Sequence, residues 1–121
     1  MALFVQKLFT SHAGKVLPFK IECDALTHED LETIASVFAP TLTFSRVYGI
    51  PNGGLLIAQC FQKYCSSTGP VLIVDDVYTT GMSMEAERLK YGTNSIVFVI
   101  FSRGILPSWI QYWMQLNPKL F

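Results

Sequence analysis

The chain has 121 residues, 50% of them hydrophobic and 15% charged, which supplies one real core and argues against disorder. Lysine plus arginine and aspartate plus glutamate balance at nine each, so no basic excess marks a nucleic-acid or anionic-membrane binder, and any charged ligand must be met locally. The longest unbroken apolar run, Ile96 to Phe101, falls far short of the ~20 residues a membrane helix needs.

In chain order, FVQKLFT and LPFKIEC read as two strands flanking the turn SHAGK, where Gly14 permits a tight reversal. Thr27 with Asp30 forms a capping-box pattern, and Leu31, Ile34, Ala35 and Phe38 share one face, predicting a helix from about Thr27 to Ala39. LTFSRVYGI follows as a strand, PNGG as a loop, and LLIAQCFQKYC as a buried helix ending in SSTG. PVLIV is a strand, the polar loop after it leads into a helix from Ser83 to Lys90, and SIVFVIF is a further strand. Pro107 opens a last predicted helix, Pro107 to Leu116, in which Trp109, Ile110, Trp113 and Met114 recur at helical spacing as a core-facing stripe.

Strands alternating with helices, and apolar runs covered on both faces, imply a single α/β domain with a parallel sheet: a hairpin segment over residues 1–26 and an α/β core over 27–121. Cys23, Cys60 and Cys65 are odd in number, lack a Cys-x-x-Cys spacing and follow no secretory signal, so reduced thiols in a cytoplasmic protein are expected.

In such sheets ligands bind beyond the carboxyl ends of the strands, where both GIPNGG and DDVYTTGMS fall. A lone aspartate there would ordinarily cap or solvate the strand end. Two adjacent carboxylates, Asp75 and Asp76, leaving a buried strand repel each other and are desolvated, a cost that calls for cations or hydroxyl donors. Thr79, Thr80, Gly81, Met82 and Ser83 precede a helix, so their backbone N–H groups and hydroxyls can converge on an anion. A phosphate cup beside carboxylates that accept from a ribose diol suits a sugar phosphate. A response-regulator-like acidic pocket is the rival reading, whereas Walker and dinucleotide-binding glycine patterns are missing.

Val71 to Ser83 resembles the phosphoribosyl pyrophosphate signature of type I phosphoribosyltransferases, and GIPNGG is similar to that family's pyrophosphate loop. FTSHAGKVLPFKIE resembles the segment of orotate phosphoribosyltransferases that contributes to a hood over the base, and IFSRGILPSWI resembles short phage-encoded members. The resemblance implies a type I phosphoribosyltransferase-like fold with a hairpin hood. It also implies ribose-binding and catalytic roles for Asp75 and Asp76, and 5′-phosphate binding by Thr79 to Ser83. Ile50, Pro51, Asn52, Gly53 and Gly54 would meet the pyrophosphate. Mg²⁺ would be the cofactor, held by Asp75 and Asp76 mainly through ligand or water, and a homodimer the assembly. His12, Lys20, Arg103 and Trp109 are weaker candidates for contacting the base. The expected partners are phosphoribosyl pyrophosphate and a nucleobase-like acceptor, such as orotate, with neither nucleic acid nor membrane.

The family's enzymes carry a mobile basic hairpin between the pyrophosphate unit and the acidic strand. Here KYCSSTG leaves no room for one. Two readings follow: a phosphoribosyltransferase that releases pyrophosphate, or a non-catalytic module that binds the same ligand or a nucleotide.

Overall fold

The computed structural model describes residues 1–11, 14–78 and 82–120, with Met82 and Ser83 described by backbone alone. Among the described residues, six strands and three α-helices follow in order as β1 (Phe4–Thr10), β2 (Val16–Ile21), α1 (His28–Phe38), β3 (Arg46–Gly49), α2 (Leu55–Gln62), β4 (Val71–Tyr78), α3 (Met82–Tyr91), β5 (Ile96–Ser102) and β6 (Ile110–Gln115). β1 and β2 form an antiparallel hairpin of their own, and β3-β4-β5-β6 form a four-stranded sheet, parallel throughout.

The period of two in the strands builds both cores. Leu72, Val74, Phe98 and Ile100 face one side, where they pack with Leu31, Ile34 and Ala35 of α1 and Ile57, Cys60 and Phe61 of α2. Val71, Ile73, Val97 and Val99 face the other, against Met84 and Tyr91 of α3 and Leu106 and Trp109 of the connection to β6. α1 starts as its residues dictate: the Thr27 hydroxyl accepts from the Asp30 N–H at 3.0 Å and the Asp30 carboxylate accepts from the Thr27 N–H at 2.8 Å, a complete capping box. No helix among the described residues is long and apolar enough to cross a membrane.

The structure corrects the chain's last element. The segment predicted as a helix from Pro107 to Leu116 holds β6, paired in parallel with β5 from Val97↔Ile110 to Ser102↔Gln115. Local spacing fits either form, but β5 would otherwise present an unpaired edge to the solvent, and pairing satisfies it. The strand's alternation sends Ile110 and Trp113 to opposite sides. Trp113 packs on the face of α1 and α2 and Trp109 on the face of α3, while Met114 is 52% exposed, so no core stripe forms. α2 also stops at Gln62 rather than Cys65. β4 runs on through the acidic pair to Tyr78, because its register with β5 continues beyond the end of β3.

The hairpin docks on the carboxyl end of β5. Phe4 lies edge-on to Phe101 at 6.0 Å between ring centroids, and the Arg103 guanidinium sits 4.7 Å from the Phe19 ring and 5.3 Å from that of Phe9.

Candidate functional site

β3 pairs with β4 only as far as Gly49↔Val74, so the last residues of β4 extend past their neighbour. Into that step folds the loop Ile50–Gly54. The Ile50 N–H donates to the Val74 carbonyl at 2.9 Å, and the Gly54 N–H donates to the Ile50 carbonyl at 2.8 Å before α2 begins. The loop's glycines are there for space, since none has a positive φ. A Cβ on Gly53 would run into the Asp76 carboxylate, and one on Gly54 would meet the Val74 carbonyl and the backbone of Ile50. Gly49 is equally confined, with the Gly54 carbonyl 2.5 Å from where its Cβ would stand. The Pro51–Asn52 peptide is cis. Two motifs separated by one helix in sequence are therefore in van der Waals contact.

Asp75 and Asp76 each turn a carboxylate oxygen back on the following backbone: the Asp76 N–H donates to Asp75 Oδ1 at 2.8 Å and the Val77 N–H donates to Asp76 Oδ1 at 2.7 Å. Burial, and next the charge of Asp76, push Asp75 up to about 8, so near neutral pH the pair holds a proton. Asp76 opens into a cavity of about 50 Å³ also lined by Asn52, Gly53, Leu56, Ile57, Ile100, Leu31, Cys23 and Asp24. Cys23 and Asp24 follow β2 directly and reach the site only because the hairpin docks there. No local signal in the sequence marks them. The Cys23 thiol is held well above its usual range by burial first and then by the charges of Asp76 and Asp75, so it stays protonated and unreactive.

The weaker candidates part company. Arg103 follows β5 at the site's end of the sheet and is 3% exposed. Its guanidinium donates to the Phe19 carbonyl at 2.8 Å and its N–H to the Tyr78 carbonyl at 2.9 Å, which joins hairpin to sheet. The Lys20 ammonium lies 2.6 Å from Glu22 on a side chain 43% exposed. Trp109 is at the wrong end. It precedes Ile110, which pairs with Val97 near the start of β5, and its ring stacks under Arg88 at 4.4 Å. The parallel sheet thus separates it from the carboxyl ends of the strands, where the base was expected. His12, Thr79, Thr80 and Gly81, and the side chains of Met82 and Ser83, lie outside the described residues.

The short connection after α2 is also at the far end. The Ser66 N–H donates to the Phe44 carbonyl, and the Ser45 N–H and hydroxyl donate to the Pro70 and Gly69 carbonyls, which ties the segment to the start of β3.

No protein-family model matches this chain, and no curated protein matches it in sequence. Its fold does match solved structures. A UMP synthase from Leishmania donovani superposes with a TM-score of 0.69 at 16% identity over 96% of this chain, which spans 34% of that one. An orotate phosphoribosyltransferase from Aeropyrum pernix gives 0.68 at 17% identity, covering 94% of this chain and 88% of its own. A hypothetical protein from Neisseria gonorrhoeae with bound ppGpp gives 0.53 at 16% identity, over 74% of this chain and 81% of that one. The chain therefore has a type I phosphoribosyltransferase-like α/β fold with an N-terminal antiparallel hairpin.

Proposed function

We propose that the protein binds Mg²⁺-phosphoribosyl pyrophosphate at the end of β4 and transfers the phosphoribosyl group to a nitrogenous base, releasing pyrophosphate. The observation that carries this reading is the packing of Gly53 against Asp76, which presents loop backbone and carboxylate to one cavity. In this reading Asp75 and Asp76 accept from the ribose hydroxyls, and Ile50, Pro51, Asn52, Gly53 and Gly54 meet the leaving pyrophosphate with backbone groups. Thr79, Thr80, Gly81, Met82 and Ser83 receive the 5′-phosphate at the start of α3. The docked hairpin covers the base, and the protein works in the cytoplasm as a homodimer.

The oxygen donors of Asp75 and Asp76 fit Mg²⁺, a hard cation that keeps waters and takes one or two carboxylates, and a cation nearby would offset the burial and repulsion that together keep a proton on the pair. When bound with the ligand, Mg²⁺ neutralises charge on the departing pyrophosphate. The chain's own contribution is to fix the ribose, align the loop backbone with the leaving group and keep water from a cation-like sugar centre. No described side chain at the site stands out as a dedicated general base.

The rival reading, a non-catalytic module for the same ligand or a nucleotide, is favoured by one observation: the connection Lys63–Pro70 sits at the far end of the sheet and cannot close over the ribose. Pyrophosphate release from phosphoribosyl pyrophosphate, followed with and without a panel of bases including orotate, separates the two. Base-dependent release that Asp76→Asn suppresses supports transfer. Ligand-induced thermal stabilisation without release supports the module.

A further inference from the structure

Away from this site, where α1 and α2 meet, three potential metal ligands from the two helices converge. His28 and Glu32 are four residues apart on α1 and so share one helical face, with His28 Nε2 3.5 Å from Glu32 Oε1. Cys60 reaches the same point from α2, and one ligand atom from each of the three lies within 4.8 Å of the others. Cys60 as a residue is 1% exposed, whereas the His28 side chain is 79% exposed, so the cluster has a fixed inner wall and a free outer one. Lys63, the C-cap of the helix that carries Cys60, places its ammonium 2.5 Å from Glu32 Oε2.

We propose that His28, Glu32 and Cys60 form a site for a zinc-class divalent cation that clamps α1 to α2. One imidazole nitrogen, one carboxylate oxygen and one thiolate sulfur are the donors a borderline-soft ion takes, and three protein ligands leave a fourth tetrahedral position to water. Zn–ligand distances of about 2.0–2.3 Å put tetrahedral ligands roughly 3.3–3.8 Å apart, so the cluster has about 1 Å to close. The exposed His28 ring supplies that movement. Binding replaces the thiol proton, which passes to solvent, and displaces the Lys63 ammonium, still protonated, into water. Without metal, burial and the Glu32 carboxylate push the Cys60 thiol up to about 11, and the ion must overcome that hold on the proton. The clamp would bear on α2 five residues after its start, the helix that leads out of the Ile50–Gly54 loop, yet it is independent of the reaction proposed above.

The test is a Co²⁺ titration of chelator-stripped full-length protein in a non-thiol reductant, with Zn²⁺ displacement and thermal melting alongside. We expect one equivalent of Co²⁺ to give a thiolate-to-cobalt charge-transfer band that Zn²⁺ abolishes, and Zn²⁺ to raise Tm. Cys60→Ser should lose the band. His28→Ala, at an exposed position that leaves folding intact, should weaken Co²⁺ by at least about tenfold, the lower end of what even outer-sphere partners cost. Lys63→Ala should tighten it, and Cys65→Ser should leave it unchanged. A missing band in the wild type, a band that survives Cys60→Ser, or unaltered affinity in His28→Ala would each overturn the proposal.

Discussion

Asp75 is raised toward 8 in the folded chain from an ordinary value of 3.8, so the native state holds a proton that the unfolded chain has already lost. Its contribution is therefore unfavourable to folding and grows as pH rises from about 4 to about 8, after which it levels off. Asp75→Asn mimics the protonated group. We expect the Tm of this variant to rise relative to wild type steadily across that interval, and parallel Tm–pH curves would show that the pair is not strained. Gly53 sets a second expectation at this scale. Gly53→Ala forces its methyl onto the Asp76 carboxylate and should cost about 1–3 kcal/mol, as overpacking does, while removing the thermal shift caused by Mg²⁺-phosphoribosyl pyrophosphate. Gly104→Ala, where a Cβ meets open space, should change stability by no more than about 0.5 kcal/mol. Denaturant titrations of the two variants check both figures.

Among the elements, β6 and the hairpin depend most on tertiary contacts. Because Ile110–Gln115 is a strand, Trp113 and Met114 point to opposite faces, and of the two only Trp113 packs against the core. Trp113→Ala should then cost about 2 kcal/mol, below the 3–5 of full burial, and Met114→Ala at most about 0.5. A helix with both residues on one stripe would make the two losses comparable, and urea midpoints distinguish the cases. Arg103 is a polar fastening of the hairpin, and its hydrogen bond and two ring contacts join Phe9 and Phe19 to the end of β5. Arg103→Ala should cost about 1.5–3 kcal/mol, the worth of a charge-assisted hydrogen bond. It should also speed amide exchange in Phe4–Thr10 and Val16–Ile21 before it does so in β4. Uniform exchange acceleration would mean that the hairpin is held by its apolar contacts alone.

Over the whole molecule, the parallel sheet sorts the chain's motifs onto two ends. The carboxyl end carries the acidic pair, the glycine loop and the docked hairpin; the amino end carries Trp109 and the tether Lys63–Pro70. If the proposed transfer occurs, the reacting sugar has no cover from the tether, and water competes with the base unless the hairpin or a second subunit intervenes. We expect pyrophosphate to exceed nucleotide in a parallel time course at saturating base, with some release when base is left out. Tight one-to-one stoichiometry would assign the covering role to another element.

The alternating pattern of apolar runs, the Thr27–Asp30 cap and the two polar motifs at strand ends were written in local sequence, because each depends on residues within a turn or two of one another. They were enough for the α/β class and the parallel core, but the strand read as PVLIV runs on through Asp75 and Asp76 to Tyr78 only because β5 lies beside it. The identity of Ile110–Gln115 as a strand was not written there either, since Trp109, Ile110, Trp113 and Met114 satisfy a helical spacing and only the open edge of β5 chooses otherwise. Nor could spacing place Cys23 and Asp24 beside Asp76, or bury Arg103 between Phe9 and Phe19, contacts that span most of the chain. Residues distant in sequence meet only when hairpin and sheet close on each other, and burial, which sets both the Asp75 proton and the confinement of Gly53, exists only after that closure.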